Sequence, residues 1–119
     1  MSHTLLRRDD PSIERFRGVF LKIRRALGTT AFGINELRLP AGAQGLEHDE
    51  RETGHEEVYL VLDGAGTWRV DGEDVELTEG DYLRVSPDAT RVVTAGPDGV
   101  RFVVVAAKPQ PAYDGRESL

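Results

Sequence analysis

Along this chain apolar residues alternate with polar ones inside short runs, and a turn signal separates one run from the next about every ten residues, the pattern of half-buried strands rather than of helices. The runs cover residues 19–23, 31–39, 56–62, 67–71, 75–77, 82–85, 90–95 and 100–107. Between them lie Pro40 and Gly42, Asp63-Gly64, Asp71-Gly72, Glu79-Gly80, and Pro97 with Gly99. The Asp71-Gly72 pair predicts a tight hairpin, because both residues tolerate the positive φ of a type I′ turn. Asp63-Gly64 in "DGAG" reads as hairpin turn chemistry in the same way. A single short helix is predicted over residues 11–17, where Pro11 would occupy an allowed first-turn position.

The run "EEVYLVLDG" departs from simple alternation. Val58, Leu60 and Leu62 point one way and Tyr59 and Val61 the other, yet both sets are apolar. Both faces of this strand therefore need cover. One face belongs to an interior, and the other needs the amino-terminal segment or a second subunit. So many short strands must stack as two sheets or close as a barrel, since one open sheet would leave an apolar face and two edges bare. The expectation is one all-β domain: an amino-terminal extension over residues 1–18, a strand-built body over 19–109 and a surface tail over 110–119.

Composition narrows the possible functions. At 119 residues there is room for one domain only. The 15 basic and 21 acidic residues leave a net charge of −6, which opposes the long-range attraction that nucleic-acid binding relies on. The basic residues Arg15, Arg17, Lys22, Arg24 and Arg25 read as a solvated face within this acidic background. With no cysteine, disulfides, zinc–thiolate sites and thiol nucleophiles are excluded, and a cytoplasmic location is expected. No stretch approaches the roughly 20 apolar residues of a membrane span. There is no phosphate-cradling glycine loop and no spaced nucleophile–base pair. Of the three histidines, His3 lies in a polar leader, whereas His48 and His55 lie in "EHDERETGHEE" directly before the doubly apolar strand. That stretch is either a metal site or a charged, solvated loop.

Residues 42–64 and 80–91 together resemble the two motifs of the cupin superfamily. The first motif reads G-x5-H-x-H-x3-4-E-x6-G, and Gly42, His48, Glu57 and Gly64 fall in its register. "PAG", "EEVYLVLDGAG" and "ELTEGDYLRVSP" also resemble cupin usage, so the similarity spans residues 31–107. The resemblance implies a double-stranded β-helix barrel of jelly-roll type, in which inward imidazole and carboxylate groups hold Fe, Mn, Ni or Zn. It also implies barrels paired as homodimers.

The chain departs from the family pattern in both motifs. Glu50 stands where the second histidine is expected, and the segment before Glu57 is longer than usual. In the second motif Ser86 replaces proline and Arg91 replaces the last histidine. A guanidinium cannot ligate a metal. An inward Arg91 would repel a divalent ion and either attract an anionic ligand or pair with Glu57. His55 would share the face of Glu57 if the strand begins that early. The candidate metal ligands are thus His48, His55 and Glu57, with Glu50 as a reserve oxygen donor. Tyr59 and Arg91 are the candidate ligand-binding residues, with core packing the alternative for Tyr59. Arg84, between Leu83 and Val85, should face away from the core. One of Asn35 and Glu36 should face inward, although alternation does not say which.

Three functional classes remain open: a metal-dependent enzyme such as a dioxygenase or isomerase acting on a small molecule, a metal-free barrel binding an anionic or aromatic ligand, and a dimerising accessory domain with an empty pocket.

Overall fold

A computed structural model describes residues 2–109, so the expected 110–119 tail lies outside the described residues. The elements run β1 (Arg15–Phe16), β2 (Phe20–Leu21), α1 (Ile23–Leu27), β3 (Gly33–Leu39), β4 (Glu56–Val70), β5 (Glu73–Thr78), β6 (Tyr82–Val85) and β7 (Arg91–Ala107). All pairings are antiparallel, in the order β1-β2-β3-β7-β4-β5, with β6 added beside β4. The all-β architecture expected from the pattern, closed as the barrel that the resemblance implies, is the fold observed. Among the described residues no helix is long and apolar enough to cross a membrane.

Two long strands turn this one sheet into two facing layers. β4 pairs with β6 through residues 57–60 and with β5 through residues 65–70, while β7 follows it along nearly its whole length. The register slips between Val61 and Asp63 and again between Gly64 and Gly66, and these bulges bend the strand from one layer into the other. Gly64, with φ 76°, sits at the corner, where an added Cβ would lie 2.2 Å from the Gly99 carbonyl oxygen. Two readings of the sequence are corrected here. Asp63-Gly64 is a bulge inside one continuous strand rather than a hairpin turn, and residues 90–95 and 100–107 belong to a single strand that runs through Pro97. Asp71-Gly72 is the expected tight turn, with both residues at positive φ.

The predicted helix over residues 11–17 is not formed. Asp10 instead accepts the Ser12 amide at 2.9 Å in a local turn, and Arg15–Phe16 starts a small hairpin whose turn places Arg17 and Gly18 at positive φ. The helix falls at Ile23–Leu27, inside and beyond a run read as strand, where good helix formers precede a left-handed Gly28 cap.

The inward faces of the two layers meet in one core. At its centre Tyr59, Trp68 and Phe102 pack edge-on or tilted, with ring centroids 5.0–5.8 Å apart, each such contact adding about 1 kcal/mol to the area buried. The alternation read in "EEVYLVL" sets the faces as expected: Glu57, Tyr59 and Val61 are buried, and Val58 is 37% exposed. Arg84 faces solvent and pairs with Glu56. Of Asn35 and Glu36 it is Glu36 that is buried, but on the outer side of the sheet. It lies opposite Leu21, whereas Leu37 beside it lines the interior.

Candidate metal centre and cavity

His48 is placed by backbone pairing with the residue that the second motif contributes. Its amide donates to the Arg91 carbonyl at 3.0 Å and the Arg91 amide donates back at 2.9 Å. Directly opposed residues of an antiparallel pair project to the same face, so Arg91 is drawn inward with His48 and is fully buried. Glu57 and Tyr59 arrive from β4, two residues apart on its inner face.

Glu50 arrives by a different route. The extra residues before Glu57 fold into one turn, closed by the Gly54 amide on the Glu50 carbonyl at 2.7 Å. This brings the Glu50 carboxylate within 3.7 Å of His48 Nε2. One donor atom each from His48, Glu50 and Glu57 then lies within 4.8 Å of the others. His55 stands apart. β4 begins at Glu56, one residue too late to carry His55 inward, and its Nδ1 lies 3.6 Å from Glu50 Oε1, outside that three-donor group.

The donor chemistry fits a divalent transition ion. His48 Nδ1 lies 3.1 Å from the Leu46 carbonyl; a carbonyl can only accept, so Nδ1 carries the proton and Nε2 turns toward the carboxylates, the outer hydrogen bond that orients metal-binding histidines. Nε2 is 3.7 Å from Glu50 Oε2 and 3.8 Å from Glu57 Oε1. These separations are too long for hydrogen bonds but lie within the roughly 3–4 Å between donors that each stand about 2.1 Å from one ion. Oε1 of Glu57 accepts a hydrogen bond from the Tyr59 hydroxyl at 2.8 Å and lies 3.5 Å from Arg91 Nη2, while no hydrogen bond reaches Oε2 among the described residues.

The electrostatics of this group are balanced. Burial pushes the Glu57 carboxyl up, but the contacts with His48 and Tyr59 and the charge of Arg91 outweigh it and hold the group below its ordinary range. The polar contact with Glu57 raises His48 against burial and against the charge of Arg91. Burial, followed by the Glu57 charge, pushes the Tyr59 phenol far up, so it remains a neutral donor. Arg91 also braces the turn after β6, its Nη1 donating to the Ala89 carbonyl at 2.9 Å and Nη2 to the Ser86 carbonyl at 3.3 Å. Of the two sequence candidates for ligand binding, Tyr59 lines the cavity beside the site and Arg91 does not.

That cavity has a volume of about 690 Å³. Leu37, Leu39, Val93, Phe102 and Val104 form apolar walls, His48, Glu57 and Tyr59 contribute polar groups, and Phe16, Arg17 and Phe20 belong to the amino-terminal hairpin. The part played by this hairpin is absent from the sequence reading, which assigned Arg17 to a solvated basic face. The local signal was Arg17-Gly18 between two phenylalanines, a turn that places both rings on one side.

Two facing antiparallel layers around one core, with a histidine and two carboxylates converging on the inner wall, define an all-β barrel of the jelly-roll class. The cupin-domain family pattern matches residues 35–106, and the chain belongs to the cupin family. It is similar to a cupin protein from Bacteroides fragilis, with 28% identity, a TM-score of 0.78, and coverage of 97% of this chain and 91% of that one. A protein from Photorhabdus luminescens shares the fold at 19% identity, TM-score 0.72 and 87% of both chains. So does a predicted oxalate decarboxylase from Thermotoga maritima, at 24% identity, TM-score 0.62, and 74% of this chain and 76% of that one. No curated protein matches the chain in sequence.

Proposed function

We propose that this cupin is a cytoplasmic protein that binds a divalent transition metal through His48, Glu50 and Glu57 and holds a small molecule in the adjoining cavity. The observation that carries this reading is the convergence of one imidazole and two carboxylate donors within 4.8 Å, beside a largely apolar cavity. One nitrogen and two oxygens give three protein donors, one histidine fewer than the two-histidine, one-carboxylate set, and leave coordination positions open. A bound ion would supply Lewis acidity toward a ligand oxygen. The chain's own residues do the rest. Leu46 fixes the His48 ring, Tyr59 holds a proton at Glu57 Oε1, and the apolar walls exclude water.

Thermal unfolding in the presence of Mn, Fe, Co, Ni or Zn tests the reading. A ligand present at about 100 times its dissociation constant adds roughly 2.7 kcal/mol, which for a domain somewhat over 100 residues is on the order of 10 °C. At least one metal should give a shift of this size, His48→Ala should abolish it, and His55→Ala should retain it. If no metal stabilises the protein and none copurifies, the metal reading fails. The alternative is then a metal-free ligand-binding barrel, which the contacts of Glu57 with Tyr59 and Arg91 favour, because they balance its charge without any ion.

A further inference from the structure

The cavity is unevenly charged: among the described residues its wall carries one cation without a carboxylate partner, and that cation comes from the amino-terminal hairpin. Phe16 accepts the Val19 amide at 3.2 Å across a tight turn in which Arg17 (φ 54°) and Gly18 (φ 71°) occupy the two central positions. A left-handed arginine is an uncommon backbone state. This turn sets Phe16 and Arg17 on the cavity wall, with the guanidinium carbon 5.2 Å from the centre of the Phe16 ring. Of the other cations in this segment and on β3, Arg15 and Arg38 pair with Asp9, Lys22 and Arg25 pair with Glu14, and Arg24 donates to the Thr29 carbonyl. Among the described residues Arg17 has no carboxylate within ion-pair distance, and it remains exposed. Phe16 and Leu46, also on the cavity wall, are 57% and 82% exposed, so apolar surface surrounds the opening.

At the other polar group Glu57 already has the Arg91 guanidinium beside it, at 3.5 Å. An anionic ligand group placed there would face the Glu57 and Glu50 carboxylates, which like-charge repulsion disfavours. We infer that the barrel takes an amphipathic monocarboxylate, its aliphatic or aryl body among Leu37, Phe102 and Val104 and its carboxylate on Arg17, and that Arg17 selects for the acid. This deepens the preceding reading and rests on the cavity being a binding site, but it does not require the metal.

Calorimetric titration of metal-stripped protein with 4-phenylbutyrate and with 4-phenylbutanol, which share one body and differ in charge, tests the inference. The acid should bind about threefold to tenfold more tightly, the range of a partly exposed charge pair, and added salt should narrow the gap. Arg17→Gln should bring the acid down to the alcohol, and Arg17→Glu should reverse the preference. Val104→Trp, which fills the cavity, should weaken both. Equal binding of acid and alcohol by wild type, no saturable binding of either, or an acid preference that survives Arg17→Gln but disappears in His48→Ala would each overturn it. Failure of the metal reading appears separately, as the absence of any metal-induced thermal shift, and leaves this comparison intact.

Discussion

Arg91 shows how one substitution changes the chemistry of a barrel wall. Its backbone is locked to His48, so whatever stands at position 91 projects beside the candidate metal ligands. Here that residue is a cation with two of its donors on backbone carbonyls and one near Glu57. Replacing it with histidine would exchange a repelling charge for a nitrogen donor at the same register position. Arg91→His should therefore bind divalent transition metals about tenfold or more tightly in calorimetric titration, consistent with the gain of one coordinating ligand. The same change leaves the Ser86 and Ala89 carbonyls without their donors, so the metal-free variant should unfold with a loss of about 2–4 kcal/mol in denaturant. Unchanged metal affinity, with wild type binding metal well, would place position 91 outside the coordination sphere.

At the scale of elements, the outer side of β3 and β7 is tied to the amino-terminal segment by charge. Glu36 Oε2 accepts from Arg38 at 2.6 Å and from Arg101 at 2.8 Å, and Arg38 reaches on to Asp9 at 2.7 Å. Burial pushes the Glu36 carboxyl up, but the hydrogen bonds and charges of Arg101 and Arg38 outweigh it and hold the group below its ordinary 4.5. Because the folded value is the lower one, its stabilisation is fully present above about pH 4.5 and disappears as pH falls through the folded value. Glu36→Gln should accordingly flatten the acid limb of stability in urea titrations between pH 3 and 7. At neutral pH it should cost about 1–2 kcal/mol, toward the low end because both arginine side chains keep more than a fifth of their surface in water. An acid limb as steep as that of wild type would show that these arginines do not hold the carboxylate.

At the scale of the whole molecule, the second apolar face of "VYLVL" is only partly covered by the chain itself. Val58 is 37% exposed, and Tyr82, which pairs with Leu60, is 72% exposed on the same outer side. The amino-terminal segment buries Ile13 and Leu21 instead, over the neighbouring end of the sheet. A second copy laid on the Val58–Leu60–Tyr82 row would complete the cover, and homodimers are the commonest closed assembly. Light scattering at high micromolar concentration should give twice the mass of one chain, and Val58→Lys should reduce it to a monomer. A wild-type mass equal to one chain would sink the dimer.

The features legible in the chain's order of residues are local ones. Alternation at residues 56–62 sets the faces of Glu57, Tyr59 and Val61, and Asp71-Gly72 places a hairpin, because each depends on a strand period or on the φ of one or two residues; that His48 and Glu57 face the barrel interior is what the resemblance to cupins implied. The same local signals could not separate a turn from a bulge. Asp63-Gly64 and the stretch from Pro97 to Gly99 carry turn chemistry, yet β4 and β7 continue through both because each strand has the other as partner along nearly its full length. Only tertiary structure brought Glu50 to His48 through the turn at residues 51–54, left His55 outside by starting β4 one residue late, buried Glu36 between two arginines, and set Arg17 at the cavity. Each of these depends on which distant segments meet across the barrel, a property of non-local pairing and burial that no window of neighbouring residues contains.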